Sequence, residues 1–98
     1  MHNFLPYAWF KGDLVPFGEA NVSIATHSLH YGTAAFGGMR AIPDPEDNSS
    51  ILFFRVDKHV QRLCQSAKLL LSDIDPDFVH KALDLFIKAN QPVKPIYL

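Results

Sequence analysis

A chain of 98 residues, 48% hydrophobic and 19% charged, can build one small domain that buries only roughly 60 to 65% of its unfolded surface. Nine basic and ten acidic residues leave a formal net charge of −1, too even a balance to recruit nucleic acid or an anionic membrane. The single Cys64 has no internal disulfide partner, no run reaches the roughly 18 to 20 apolar residues that span a bilayer, and Met1-His2-Asn3 lacks a signal-peptide pattern, so a cytoplasmic setting is expected.

Tyr7-Ala8-Trp9-Phe10 and Leu14-Val15-Pro16-Phe17, separated by Lys11-Gly12-Asp13, predict two short strands joined as a hairpin at a glycine turn. Val22-Ser23-Ile24-Ala25 alternates weakly, and Thr26-His27-Ser28-Leu29-His30 suits one helical turn capped by Thr26 or Ser28. From Thr33 to Ile42 small and apolar residues favour an extended course, and Gly37-Gly38 allows a bulge or the close approach of another backbone. Pro43-Asp44-Pro45-Glu46-Asp47-Asn48-Ser49-Ser50 is a loop by composition, followed by a strand at Ile51-Leu52-Phe53-Phe54.

Two helices follow. Asp57 is the expected N-cap of the first, and Val60, Leu63, Cys64, Ala67, Leu70 and Leu71 recur at the spacing of an amphipathic face. Asp75-Pro76 announces the second, an acidic cap with proline at the first helical position, and Phe78, Val79, Ala82, Leu83, Phe86 and Ile87 repeat the helical period. Val93-Lys94-Pro95-Ile96-Tyr97-Leu98 begins a buried strand and stops without turn residues, so the sequence is expected to be cut there. The pattern predicts an α+β domain: a mostly antiparallel sheet with two consecutive amphipathic helices.

The candidates for chemistry begin with Arg62, which lies about 140° from the centre of its helix's apolar face. Periodicity alone makes it a solvated surface residue. His27 and His30, three apart, would share a face of a helical turn, but no third metal ligand accompanies them, and local hydrogen bonds are the better expectation. Cys64 falls on the apolar face, where a thiol is inert. Tyr31 beside Gly32 is either a core aromatic or one presented by a shaped backbone. Phe36 is core by default, and Gly37-Gly38 lacks the lysine and helix of a phosphate loop.

The run His27-Ser28-Leu29-His30-Tyr31-Gly32-Thr33 leading into Phe36-Gly37-Gly38-Met39-Arg40 resembles the small-domain signature of the fold-type IV pyridoxal-phosphate aminotransferases, most closely the branched-chain-amino-acid aminotransferases. Ala8-Trp9-Phe10-Lys11-Gly12-Asp13-Leu14-Val15 resembles the family's opening hairpin. Phe54-Arg55-Val56-Asp57-Lys58-His59-Val60-Gln61-Arg62-Leu63 with Ser66-Ala67-Lys68 resembles its phosphate-arginine helix. The similarity covers nearly the whole chain in order.

The resemblance implies that Arg62 holds the phosphate of pyridoxal 5'-phosphate, a role that suits a planar fork of donors. It implies that Phe36, Gly38 and Tyr97 line a substrate pocket and that Tyr31 reaches into the neighbouring subunit of a dimer or higher homo-oligomer. Arg40 closes the Gly-x-Arg motif, as a structural residue or a substrate contact. Many members carry glutamate where this chain has Gly37, a loss of carboxylate expected to alter pocket polarity or local packing. The lysine that binds the cofactor covalently belongs to a large carboxyl-terminal domain, and Lys11, Lys58, Lys68, Lys81, Lys88 and Lys94 lie in turns or on polar helix faces. The expected function is the amino-terminal part of an enzyme transaminating L-leucine, L-isoleucine and L-valine with 2-oxoglutarate, inactive as an isolated chain. A D-amino-acid aminotransferase or aminodeoxychorismate lyase of the same fold, and a non-catalytic or partner-dependent domain, are the alternatives.

Overall fold

The computed structural model describes residues 3–98. Strands β1 (Tyr7–Phe10) and β2 (Asp13–Pro16) pair antiparallel, with Phe10 opposite Asp13. The loop between them is therefore two residues long. Lys11 (φ 54) and Gly12 (φ 83) both adopt the left-handed backbone that a tight primed turn demands, and this matches the right-handed twist of the strands. The expected second strand begins one residue earlier than its apolar residues suggested, at Asp13. The Phe17 amide then bonds the Pro6 carbonyl at 2.8 Å, and the Phe4 and Phe17 rings stack at 4.6 Å.

Residues 22–25 form a turn rather than a strand, closed by the Thr26 amide on the Ser23 carbonyl. Helix α1 (His27–Tyr31) has Thr26 as its N-cap, but neither Thr26 nor Ser28 caps it through a side chain. Gly32 ends it at φ 65.

The second sheet has three strands in the order β4-β3-β5, all antiparallel: β3 (Arg40–Asp44), β4 (Asp47–Phe53) and β5 (Ile96–Tyr97). The expected loop over 43–50 is a correction. Only Pro45-Glu46 turns the chain, and Asp47 opens β4. Composition misled because side-chain bonds replace apolar burial there. The Asp44 carboxylate accepts from the Glu46 amide at 2.9 Å, and the Asp47 carboxylate accepts from the Ser49 amide and from the Ser49 and Ser50 hydroxyls at 3.0, 2.7 and 2.8 Å.

Alternation sets the two faces of this sheet. Ala41 and Phe53 are partners, as are Pro43 and Ile51; Ala41 is fully buried, while Ile51 and Phe53 border a crevice with Val56, Leu83 and Ile87. On the other face stand Arg40 opposite Tyr97 and Ile42 opposite Leu52.

Helices α2 (Val56–Lys68) and α3 (Pro76–Asn90) pack against each other, and α3 also packs against β1. Asp57 is not the N-cap of α2. Arg55 occupies that position at φ 54 without a side-chain cap, because Val56 is drawn into the crevice and starts the helix early. Asp57 instead lies in the first turn, favourable for a carboxylate near the positive end of the helix, 3.2 Å from His80 of α3.

Val60, Cys64 and Ala67 are buried as expected. Leu70 and Leu71 are not on that face, since α2 ends at Lys68. The Leu71 amide bonds the Lys68 carbonyl and the Ser72 amide the Ala67 carbonyl, with Leu71 left-handed at φ 60; this is the Schellman arrangement that satisfies a helix's last carbonyls. Helix α3 starts where Asp75-Pro76 said it would, with the Asp75 carboxylate accepting from the Asp77 amide at 3.0 Å. Among the described residues no helix is long and apolar enough to cross a membrane.

Candidate functional site

The outward face of the β4-β3-β5 sheet forms the floor of an open groove of about 570 Å³. Its lining is mostly apolar and contains no carboxylate, whereas Arg40, His59 and Tyr97 supply polar groups. A site of that kind favours an anion carrying an apolar body.

Three of the sequence candidates meet there. Gly38, Arg40 and Tyr97 all line the groove. The Met39 and Leu98 backbones exchange two hydrogen bonds of 2.8 and 2.9 Å, so β5 is held beside the Gly38-Met39-Arg40 segment and Tyr97 lies across Gly38. Gly37-Gly38 would allow a bulge or a close backbone approach; the strand irregularity lies elsewhere, at Pro43/Asp44. What Gly38 admits is a side chain: a β-carbon there would overlap the Tyr97 hydroxyl and ring. A β-carbon on Gly37 would meet the Leu63 side chain at an ordinary contact distance of 3.6 Å.

Arg62 is exposed on α2 and stands behind the groove's wall. Its Nη2 donates to Nδ1 of the groove-lining His59 at 3.1 Å. No carboxylate among the described residues lies at ion-pair distance from Arg62 or Arg40, so two guanidinium charges near the groove are left without a protein counterion. That donor set fits a phosphate or carboxylate.

Tyr31 and Phe36 are not brought into the groove. Tyr31 is 73% exposed, its ring 4.5 Å from that of His27, and Phe36 is 81% exposed. His27 Nδ1 bonds the Thr33 hydroxyl at 2.9 Å and His30 Nε2 bonds the Ile24 carbonyl, so both imidazoles are engaged locally. Among the described residues no three His, Cys, Asp or Glu side chains gather as a metal site. All six lysines are exposed and none lines the groove. Sequence reasoning missed His59. Its signal was its position three residues before Arg62 on the same helix, a spacing that brings side chains together.

No protein-family model matches the sequence. Over all 98 residues the chain is 54% identical to a probable branched-chain-amino-acid aminotransferase of Synechocystis sp., spanning 32% of that protein. The crystal structure of the Escherichia coli branched-chain amino acid aminotransferase superposes with a TM-score of 0.83 at 31% identity, covering 96% of this chain and 30% of that one. The branched-chain amino acid aminotransferase of Thermobaculum terrenum, crystallised in its PLP-bound holo form, superposes with a TM-score of 0.81 at 25% identity, covering 95% of this chain and 31% of that one. The chain thus spans about a third of the length of the relatives it matches.

Proposed function

We propose that this chain, homologous throughout to one portion of the branched-chain-amino-acid aminotransferases, forms the phosphate-binding side and one pocket wall of a pyridoxal-phosphate enzyme that transaminates L-leucine, L-isoleucine and L-valine with 2-oxoglutarate. The observation that carries this reading is the convergence of Gly38, Arg40 and Tyr97 on one acid-free groove, with Arg62 joined to it through His59.

Pyridoxal phosphate, when bound, supplies an electron sink for charge developing at the substrate's α-carbon. The residues here serve binding and orientation. Arg62 offers its donor fork to the phosphate. Gly38 and Tyr97 shape an apolar wall against which a branched aliphatic side chain leaves water, a gain of about 25 cal/mol per Å². Arg40, at the same edge, attracts a substrate carboxylate. The reading includes Phe36 and Tyr31 as pocket residues completed by other parts of the assembly, Tyr31 across a homo-oligomer interface, which their exposure outside this groove supports. It also includes the covalent lysine in a further domain and a cytoplasmic location.

The test uses the complete gene product. Amino-group transfer from the three branched-chain L-amino acids to 2-oxoglutarate is expected, and turnover of D-alanine without L-leucine would sink the assignment. Arg62→Ala should weaken cofactor binding by about 2 to 4 kcal/mol, the scale for losing a charge-assisted partner.

A further inference from the structure

We infer that His59 is a positioning residue, which fixes the Arg62 guanidinium in the orientation that receives an anionic phosphate; this rests on the reading of Arg62 as the phosphate ligand. A guanidinium has donors and no acceptor, so the 3.1 Å contact between Arg62 Nη2 and His59 Nδ1 is a hydrogen bond only when Nδ1 presents its lone pair. The imidazole proton is thereby assigned to Nε2.

The two partners differ in exposure. His59 is half-buried and lines the groove, against an exposed Arg62, so the more confined ring restrains the longer, freer side chain. Arginine forfeits rotamer freedom whenever it captures a ligand, and a side chain already tied at one nitrogen has less to forfeit. The rest of the fork remains available to oxygen acceptors. No acidic side chain among the described residues competes for it at ion-pair distance. A neutral acceptor therefore orients the cation without cancelling its charge.

The chemistry of the acceptor gives the test. In asparagine the carbonyl oxygen lies near the place of Nδ1, in glutamine it lies one bond further out, and leucine has none. Dissociation constants for pyridoxal phosphate and for unphosphorylated pyridoxal would be measured by absorbance titration of the complete apoprotein. His59→Leu should weaken the phosphorylated ligand by about 5- to 10-fold, the scale of one ordinary intramolecular hydrogen bond, with pyridoxal changed less than about twofold. His59→Asn should restore most of the affinity, and His59→Leu combined with Arg62→Ala should bind no more weakly than Arg62→Ala alone.

An unchanged affinity in His59→Leu, equal losses in the leucine and asparagine variants, or equal losses for both ligands would each overturn the positioning role. If Arg62→Ala itself binds normally, the underlying reading falls with it; if Arg62→Ala is weakened and His59→Leu is not, only the inference about His59 falls. Should His59→Leu fail to fold, His59→Asn against His59→Gln decides by the same criterion, with asparagine expected to bind more tightly.

Discussion

The Tyr97 hydroxyl lies where a β-carbon on Gly38 would have to be. Gly38 is needed here for space, not for an unusual backbone angle. Gly38→Ala should displace the exposed Tyr97 ring and cost about 1 kcal/mol, the low end of the range for overpacking. Because the clash belongs to the pair, adding Tyr97→Ala should make Gly38→Ala nearly silent. Urea denaturation of the four variants in the cycle tests this, and additive losses would reject the clash.

Leu71 occupies the left-handed position that closes α2, 98% exposed. A left-handed L-residue costs about 1 to 2 kcal/mol, part of which glycine gives back through its own greater chain entropy. Leu71→Gly should therefore stabilise the protein by about 0.5 to 1 kcal/mol, read as a raised urea midpoint. A lowered midpoint would show that the leucine side chain is held by a surface other than those described.

Asn90 ties the end of α3 to the first strand. Its Oδ1 accepts from the Tyr7 amide at 2.9 Å, and its Nδ2 donates to the Tyr7 and Phe86 carbonyls at 3.1 and 3.0 Å. Asn90→Leu removes all three bonds. Water can reach Tyr7, which is 42% exposed, so the loss should stay near the low end, about 1 kcal/mol. Faster amide exchange at Tyr7 than elsewhere in β1 would identify the lost tie, and unchanged exchange there would count against it.

The Ser49 hydroxyl and amide, and then the Ser50 hydroxyl, hold the Asp47 carboxyl below its usual range. A carboxyl that titrates lower when folded adds stability above its unfolded value and loses that contribution as pH falls through its folded value. The turn between β3 and β4 should thus loosen only at acid pH. Titration followed by carboxyl NMR shifts should show Asp47 protonating below its ordinary range, with Ser49→Ala raising that value more than Ser50→Ala. The reverse order would contradict the assignment of causes.

What could be read from the sequence follows from where the determining interactions lie. Lys11-Gly12 and Asp75-Pro76 act on their own neighbours, so the first turn and the start of α3 were legible. The groove's Gly38, Arg40 and Tyr97 were found through family resemblance, since nothing in their local pattern joins residue 38 to residue 97. Asp47-Asn48-Ser49-Ser50 looked like loop because its polar residues carry no alternation; Asp47 pairs with Asp44 of β3, and the register is then broken until Ile51. Asp57 was the better cap by residue type, yet Val56, half-buried at the crevice, already lies in the helix. Asn90 and His59 were overlooked because their partners are set by tertiary placement and by side-chain direction.

The central strand β3 has one neighbour next to it in the chain and the other, β5, more than half the chain later. During synthesis the β3–β4 pair can zip while its residues emerge, but the edge bearing Arg40 must wait, open, until Tyr97 clears the ribosome. Contacts between such distant segments are the slowest to close. The groove-bearing face is consequently among the last parts of this fold to be assembled, and until then its unpaired edge stays open to pairing with another strand.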